Sequence, residues 1–324
     1  MPKWFVGIDG GATKTACWVA DEAGLRGAGR SGPAAWRIKG LADHVEEALT
    51  EALKSAGARG GDDAVAVLGL SGADFPEDFV ELTDAVRPVM QGMPFRVVND
   101  TEVALVGGSA RGWGVVSICG SGTNCLGRYP DGRTFTIGGM GYDGDYGGGG
   151  ELAAAAVAHA FRADQGRGPA TVLRDWVLDV VKLPDYAALS RGIHLERPIG
   201  PAERQSLSRL VFRAAAAGDG VAQDMLVRMG EALGATAGAA AARLTPPGAD
   251  LVEVVQAGSV WLGPHPLMRD AFQLAVHRYT TAVDIHLALS EPVAGAVLLA
   301  AGDAGVPLER LREGLPTWEE EAMG

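Results

Sequence analysis

Two glycine-rich segments with the same pattern constrain this chain more than any other feature of its sequence. VGIDGGATKT (6–15) aligns without gaps with VSICGSGTNC (116–125), one domain length later. Both copies keep an isoleucine, a glycine and a threonine, which are Ile8, Gly10 and Thr13 in the first and Ile118, Gly120 and Thr123 in the second. Each copy predicts a strand, a glycine turn and a second strand, and such turns let backbone amides approach phosphate oxygens closely. Two unrelated β-hairpins are the alternative, because DG and GS are common turn pairs, but the matched pair favours two phosphate-binding turns.

The two copies differ at the residue that follows the isoleucine. The first copy has Asp9 and the second has Cys119. Because Mg²⁺ prefers one or two carboxylates together with phosphate oxygens and water, the pattern predicts a nucleotide polyphosphate held from both sides, with its metal beside Asp9. Lys14 is a candidate point charge for the transferred phosphate, and an exposed strand cation is the alternative interpretation.

The composition restricts the class of protein. A chain of 324 residues exceeds one comfortable hydrophobic core, so two domains are expected. The net charge of −12 argues against a generic nucleic-acid or anionic-membrane surface. The three cysteines have no CxxC spacing, which argues against a zinc site and favours a reduced, cytoplasmic setting. We also expect no signal peptide and no membrane span, because no apolar segment is long enough for either.

Hydrophobic spacing predicts the same order of elements in both halves of the chain. In the first 112 residues a β-hairpin precedes alternating strands and helices, which is typical of an α/β layer with a largely parallel centre. The predicted strands there are 4–8, 15–20, 63–70 and 95–100, and helices lie within 35–57, within 76–89 and after residue 100. In the second half, strands are predicted within 114–128, 132–139, 251–260 and 284–290, and helices within 151–166, 170–183, 201–217, 221–243, 266–279 and 292–305. The boundary near Gly112 is interpreted as a hinge between repeats.

Asp100 is the candidate for proton chemistry. It ends the apolar strand FRVVND (95–100), and ligands of open α/β sheets bind outside the carboxyl ends of strands. Phosphoryl transfer to an alcohol needs a carboxylate that orients the hydroxyl and accepts its proton. Helix capping is the alternative role, but Asn99 with Glu102 fits a capping box better than Asp100 with Val103. Asn99 is therefore the predicted cap, which leaves Asp100 free for chemistry.

A second glycine-dense segment, GGMGYDGDYGGGGE (138–151), contains a literal GxGxxG at 139–144. A dinucleotide-binding fold is one interpretation, with Asp164 as the ribose acid. However, that acid should end a strand, whereas Asp164 closes a helical pattern, so a hinge or a sugar-facing turn is favoured. Asp145 in this segment is either a second acid near metal or substrate or a solvated turn residue. The chain has no GxxxxGK[ST], which disfavours a P-loop ATPase.

These motifs together resemble the N-acetylglucosamine kinase family and its activator-ATPase relatives, within the superfamily of actin, hexokinases and acetate kinase. IDGGATKT resembles the first phosphate motif, VVND the strand of the catalytic acid and SICGSGTNCLGR the second phosphate motif. The glycine-dense segment, QAGSV (256–260) as adenosine motif and PVAGAVLLA as closing helix complete the likeness. The resemblance implies an α/β fold of two related actin-like (ribonuclease H-like) domains with an interdomain cleft. Their expected ranges are 1–112, with 305–324 as a candidate to complete it, and 113–304.

The resemblance implies ATP-dependent transfer of the γ-phosphate to a hydroxyl of an amino sugar, with N-acetylglucosamine or glucosamine as the expected acceptor. Asp100 would be the base and Asp9 the acid on the Mg²⁺ side. The expected ATP contacts are Gly10, Gly11, Thr13, Lys14, Gly122 and Thr123 for the phosphates, and Gly258 and Ser259 for adenosine. The expected sugar contacts are Ser71, Asn99, Asp100, Gly138, Gly139 and Asp145. A small-molecule sugar partner is expected, without nucleic acid or membrane, and a homodimer is an option.

Some positions depart from the family pattern. Met140 and Tyr146 stand where relatives often have Trp and Glu, and Ala35 or Trp36 replaces an Asn that helps to hold the sugar. N-acetylmuramic acid or another hexose therefore stays open as acceptor. Two other functions are also open: an ATP-driven activator of a reductase or dehydratase, which would hold an iron–sulfur cluster through cysteines, and a catalytically silent sugar or nucleotide sensor.

Overall fold

The structure is a computed structural model that describes residues 3–61, 63–139, 145–195, 199–244 and 251–317. The strands are β1 (Trp4–Gly10), β2 (Thr15–Asp21), β3 (Gly24–Ser31), β4 (Ala64–Leu70), β5 (Phe95–Asn99), β6 (Gly114–Cys119), β7 (Thr123–Arg128), β8 (Thr134–Thr136), β9 (Val252–Ala257) and β10 (Val283–Leu287). The helices are α1 (Leu41–Ala56), α2 (Pro76–Val86), α3 (Asp100–Gly108), α4 (Gly149–Asp164), α5 (Leu173–Val181), α6 (Tyr186–His194), α7 (Pro201–Ala216), α8 (Gly220–Leu244), α9 (Leu267–His277), α10 (Pro292–Asp303) and α11 (Leu308–Glu313). A short 3₁₀ helix, Arg87–Val89, follows α2.

The strands form two five-stranded mixed sheets with the same topology. The first sheet has the order β3-β2-β1-β4-β5. The second, read from its matching edge, has the order β8-β7-β6-β9-β10. The two repeated hairpins, β1–β2 and β6–β7, therefore occupy equivalent places in the two sheets. This confirms the predicted α/β fold with two related halves.

The first sheet combines antiparallel and parallel pairing. β1 pairs antiparallel with β2 and parallel with β4, and β4 pairs parallel with β5. Most of β1, β2 and β4 is buried, as expected of strands that are covered by helices on both faces. One face packs against Val45, Leu49 and neighbouring residues of α1. The other packs against α3, α10 and α11, where Val293 and Val297 are fully buried.

The second sheet is stabilised by its own core. Every residue of β9 is buried. The indole nitrogen of Trp261 donates to the carbonyl of Ser117 over 3.0 Å, and the Trp261 ring contacts Phe272 edge-on with centroids 4.8 Å apart. The long helix α8 packs along α9 through small residues, because side chains at Gly230 and Gly234 would overlap the α9 backbone. Among the described residues, no helix has both the length and the hydropathy that crossing a bilayer requires.

The contacts divide the chain into two units. The first comprises 1–116, 128–135 and 286–324, and the second comprises 117–127 and 136–285. The change at residue 116 lies close to the predicted boundary at 112. The return at residue 286 precedes the predicted one at 304, because α10 packs on β1, β2 and α3 of the first unit.

Most predicted elements are present, and three elements were not predicted. These are β3, α6 and α11. β3 lacks an apolar signal because its buried positions include Gly27 and Gly29, which lie against the α1 backbone. The cap of α6 was readable, since the Asp185 carboxylate accepts the backbone N–H of Ala188 over 2.7 Å. The predicted strand over 132–139 is longer than the strand in the structure, where β8 spans only Thr134–Thr136.

Candidate active site

The register of the first sheet places three candidate residues at one edge. Gly10 lies beside Leu70, and Leu70 lies beside Asn99, so the parallel strands β1, β4 and β5 end in one row. Gly11, Ser71 and Asp100 follow these three positions directly. The backbone N–H of Ser71 donates to the carbonyl of Gly10 over 2.9 Å, which fixes the two strand ends to each other. Separate motifs of the sequence therefore meet at the carboxyl edge, where ligands of such sheets bind.

The turn after β1 is tight and open to solvent. The N–H of Gly11 donates to the carbonyl of Lys14 over 3.0 Å, and the N–H of Ala34 donates to the carbonyl of Gly11 over 3.1 Å. Thr13 and Lys14 are exposed, and Gly11 is half-buried. A turn of this form can present backbone amides, a hydroxyl and an ammonium group to an anion.

Asp9 lies one residue before the end of β1 and carries a strongly perturbed carboxyl group. Its pKa is raised from 3.8 to about 7, mainly by burial and also by the charges of Asp100 and Glu291, whereas the charge of Lys14 lowers it. A cation would favour the ionised form of this carboxyl. Asp9 therefore suits a site in which one carboxylate and phosphate oxygens share Mg²⁺. Among the described residues, no group of three or more His, Cys, Asp or Glu is arranged to hold a metal without such help.

Asp100 is the first residue of α3. The pKa of its carboxyl is raised from 3.8 to about 6, mainly by burial and also by the nearby charge of Asp74. The side chain of Ser71 and the backbone N–H of Thr101 act in the opposite direction and lower this pKa. A carboxylate with a pKa near neutrality is a better proton acceptor than an ordinary aspartate. The structure thus places two sugar-side candidates, Ser71 and Asp100, directly after the ends of the neighbouring strands β4 and β5.

Asn99 is the N-cap of α3, as predicted. Its side-chain oxygen accepts the backbone N–H of Thr101 over 2.9 Å. Its side-chain nitrogen donates to the carbonyl of Ala73 and to the Asp74 carboxylate, each over 2.9 Å. The amide thereby connects β5 to the segment after β4. This role fixes the orientation of Asp100, and it uses both ends of the Asn99 side chain.

Trp36 lies beside Ser71 and is anchored at three points. Its backbone N–H donates to the carbonyl of Ser71 over 2.9 Å, and its indole nitrogen donates to Glu81 over 3.0 Å. The guanidinium of Arg37 stacks 3.7 Å from the ring centroid. Ala35, in contrast, is buried. Of the two residues that depart from the family pattern here, Trp36 is the one that can contact a ligand near Ser71.

The second turn, in the second unit, joins β6 to β7 and is hydrogen-bonded to the start of α4. The N–H of Gly149 donates to the carbonyl of Gly120 over 2.8 Å, and the N–H of Gly120 donates to the carbonyl of Gly122 over 2.9 Å. Gly258 has a φ of +105° and approaches β6 so closely that a Cβ would lie 2.5 Å from the carbonyl oxygen of Cys119. Ser259 follows it and is exposed. The second phosphate motif and the adenosine motif are therefore neighbours.

Three sugar-side candidates of the second unit line one cavity of about 210 Å³. They are Gly138, Gly139 and Asp145, and the other lining residues are Ser117, Thr123, Asn124, Cys125, Ile137, Tyr146, Ala232, Leu233 and Thr236. Gly138 has a φ of +80°, and a Cβ there would lie 2.8 Å from a carboxylate oxygen of Asp145. Glycine at this position lets Asp145 fold back over the loop. Met140 and the rest of 140–144 lie outside the described residues.

Sequence reasoning did not identify Glu291. Its carboxylate is 5 % exposed and accepts from Lys14 and Arg30, although it lies 277 residues after Lys14. A single acid before a predicted helix carries no sequence signal of such a distant contact. The dinucleotide interpretation also finds no support, because Asp164 ends α4 and lies 3.4 Å from Arg174.

The sequence of residues 6–300 matches that of the BadF/BadG/BcrA/BcrD ATPase family. The chain belongs to this family. Within it, the chain is 30 % identical over 232 residues to the N-acetylmuramic acid/N-acetylglucosamine kinase of Clostridium acetobutylicum, which covers 69 % of this chain and 74 % of that protein. It is 29 % identical over 243 residues to the N-acetyl-D-glucosamine kinase of Dictyostelium discoideum, covering 71 % and 76 % respectively.

Solved structures agree with this membership of the BadF/BadG/BcrA/BcrD family at the level of fold. A Chromobacterium violaceum protein, provisionally named an N-acetylglucosamine kinase, superposes with a TM-score of 0.72 at 24 % identity and covers 92 % of this chain and 99 % of its own. A glucokinase of the ROK family from Streptomyces griseus, solved with glucose and AMPPNP, has a TM-score of 0.57 at 19 % identity, covering 93 % and 98 %. The predicted family resemblance and the sugar-kinase fold are confirmed.

Proposed function

We propose that this protein is an ATP-dependent kinase that transfers the γ-phosphate to a hydroxyl of an amino sugar, with N-acetylglucosamine or glucosamine as the acceptor. The observation that carries the proposal is the buried carboxyl of Asp100 at the carboxyl edge of the first sheet, beside the strand end that Ser71 follows. Burial has brought the pKa of this carboxyl to about 6. The kinase names of the Clostridium and Dictyostelium relatives support the same reaction class.

Asp100 acts as the general base. Its carboxylate accepts the proton of the acceptor hydroxyl as that oxygen attacks the γ-phosphorus, and the bond to the β-phosphate oxygen breaks. The side chain of Ser71, at the end of the neighbouring strand, lowers the pKa of this carboxyl and so favours its ionised form. Phosphoryl transfer depends mainly on positioning and on neutralising charge, so a fixed base at a strand end is an effective arrangement.

The nucleotide contacts come from both glycine turns. Gly10, Gly11, Thr13 and Lys14 contact the phosphates from the first turn, where Thr13 and Lys14 are exposed. Gly122 and Thr123 contact them from the second turn. Gly258 and Ser259 contact adenosine, and their position beside β6 supports this role. Asp9 would hold the Mg²⁺ that accompanies ATP, and the ion would supply positive charge to neutralise the transferred group.

The sugar contacts are Ser71 and Asp100 in the first unit and Gly138, Gly139 and Asp145 in the second. The cavity lined by the last three supports this assignment. Asn99 contributes by holding Asp100 in place and not by contacting the sugar. Its side-chain oxygen and its side-chain nitrogen both form hydrogen bonds with protein groups. We further propose a cytoplasmic location, the two-domain division near residue 112 and a homodimer as the working form.

The test is to incubate the purified full-length protein with ATP, Mg²⁺ and a panel of sugars and to measure ADP release. We expect turnover with N-acetylglucosamine or glucosamine, and we expect it to disappear when EDTA removes Mg²⁺. A panel that includes N-acetylmuramic acid and glucose resolves the acceptor. Absence of sugar-dependent ADP release across the whole panel would contradict the proposal.

The activator hypothesis is not favoured. The chain contains three cysteines, and all of them are buried. Burial raises the pKa of the Cys119 and Cys125 thiols to about 12 and raises that of Cys17 as well. A cluster needs accessible thiolates, so these residues do not suit one.

A further inference from the structure

Glu291 is a buried acid with two cationic partners. It precedes α10, and its carboxylate is only 5 % exposed. The Nζ atom of Lys14 lies 3.5 Å from Oε1, and Nη2 of Arg30 lies 3.4 Å from both oxygens. Burying a carboxylate costs several kcal/mol unless it is paired. The two cations and the N-terminus of a 12-residue helix stabilise the negative charge.

The two partners of Glu291 belong to different parts of the first sheet. Lys14 is 49 % exposed and belongs to the turn after β1, whereas Arg30 is 58 % exposed and belongs to β3. Lys14 also acts on Asp9, because its charge lowers the pKa of that carboxyl while Glu291 raises it. Asp9, Lys14 and Glu291 therefore lie within one electrostatic environment. Lys14 belongs to the solvent-exposed turn, and its ammonium group pairs with the buried acid.

We propose that Glu291 is a positioning residue that holds the ammonium group of Lys14 at the first glycine turn, so that it contacts the γ-phosphate of ATP. Lysine has a flexible four-carbon stem, and holding its end in place costs side-chain entropy. An acid fixed at a helix start supplies this constraint without contacting the nucleotide itself. Arg30 completes the charge balance of the buried carboxylate. The inference rests on the proposed function, in which Lys14 is a phosphate contact.

The proposal predicts a selective effect on ATP. Glu291→Gln keeps the size of the side chain and removes the charge that attracts Lys14. We expect the affinity for ATP to fall about tenfold, which corresponds to about 1.4 kcal/mol. The affinity for ADP should change less than threefold, because ADP lacks the phosphate that Lys14 contacts. The measurement is calorimetric titration of the full-length protein with each nucleotide and Mg²⁺, which needs no sugar turnover.

A double-mutant cycle tests whether Glu291 acts through Lys14. ATP affinity is measured for Glu291→Gln in the parent and in a Lys14→Met background. In the Lys14→Met background, Glu291→Gln should have little further effect on ATP affinity. Equal losses in both backgrounds, or equal losses for ATP and ADP, would overturn the proposal. Asp21→Asn is the matched control, because it also removes an acid from an ion pair, with Arg26 at 2.8 Å, but far from the turn.

A conservative variant keeps the test valid if Glu291→Gln does not fold. Glu291→Asp retains the charge and shortens the side chain, so it should give an intermediate loss of ATP affinity with near-parental thermal stability. Parental ATP affinity in Glu291→Asp would contradict the proposal, because the shorter side chain should hold the Lys14 ammonium group less well. If the parent binds ATP in preference to ADP but phosphorylates no sugar, the proposed function fails while this inference is still tested.

Discussion

At the scale of single residues, the proposed chemistry depends on two carboxyl groups that burial has changed. Asp9 and Asp100 both have raised pKa values, and each raised value has burial as its largest cause. Their surroundings differ, because the charges of Lys14 and Glu291 act on Asp9 whereas Asp74 and Ser71 act on Asp100. Two acids with different partners can take different roles in one reaction. Asp9 suits a metal and Asp100 suits a proton.

Asp100→Asn should abolish most phosphoryl transfer while leaving nucleotide binding intact. The amide cannot accept the proton of the acceptor hydroxyl, and loss of a general base typically lowers turnover by about 10²–10⁴-fold. The measurements are kcat from ADP release and ATP affinity from calorimetry. Asp84→Asn, at an exposed acid of α2 that pairs only with Arg87 in a surface contact, is the control. Parental kcat in Asp100→Asn would remove the proposed role.

The pH dependence of kcat/KM should report the same carboxyl. Asp100 must be ionised to accept a proton, and its pKa in the folded protein is about 6. Activity should therefore rise with pH through about 6 and reach a plateau above it. Asp74→Asn removes a charge that raises this pKa, so the rise should move to lower pH in that variant. A rise that stays in place or moves upward would contradict the assigned contact.

At the scale of elements, α3 and α10 lie on the same face of the first sheet and both begin beside the site. α3 begins at Asp100 and is capped by Asn99, so the cap and the catalytic carboxylate are adjacent residues. α10 begins after Glu291 and packs on β1 and α3. Both helices start at the edge where the strands end. Small changes at either helix start should therefore affect activity as well as stability.

Asn99→Ala should lower stability and activity together. Removing an N-cap side chain costs about 1 kcal/mol, and here it also releases the contacts to Ala73 and Asp74 that orient Asp100. The measurements are urea unfolding and kcat. Asp185→Ala is the matched control, because it removes the N-cap of α6 in the second unit. That control should lose similar stability at unchanged kcat, and equal kcat losses in both variants would count against the positioning role.

The element scale also shows what sequence could and could not provide. The repeated hairpins, the strand before Asp100 and the cap at Asn99 were predictable because each depends on neighbouring residues. β3 was missed because its buried positions include glycines that fit against α1. Glu291 was missed because its partners are distant in sequence and become neighbours only when α10 returns to the first sheet. Local sequence patterns predicted the turns. The ion pairs of Glu291 with Lys14 and Arg30 depend instead on packing between residues that are distant in sequence.

At the scale of the whole molecule, the two buried carboxyl groups connect stability to pH. In the unfolded chain an aspartate has a pKa of about 3.9, whereas Asp9 and Asp100 reach about 7 and about 6 when folded. Between these values the folded state binds more protons than the unfolded state, so stability falls as pH rises. Their stabilising contribution is complete below about pH 4 and is lost as pH rises through 6 to 7.

Asp9→Asn should therefore make the nucleotide-free protein more stable than the parent at pH 8. This gain in stability should be smaller at pH 5. The amide removes the cost of ionising a buried carboxyl at high pH. Urea unfolding of both proteins at pH 5 and pH 8 gives the difference in unfolding free energy between variant and parent at each pH. The contributions of other titrating groups cancel in this difference. A variant that is equally destabilised at both pH values would contradict the raised pKa. The same variant should lose Mg²⁺-dependent turnover.

The path of the chain has a practical consequence for anyone who wishes to study the halves separately. Apart from 128–135, the polypeptide lies in the second unit from residue 117 to 285, and it re-enters the first unit at 286 with the helix that covers one side of β1. A fragment truncated at the midpoint would present bare valine and alanine surface to water and would tend to aggregate. A fragment meant to represent the first unit must therefore keep the closing segment from residue 286 together with the opening one.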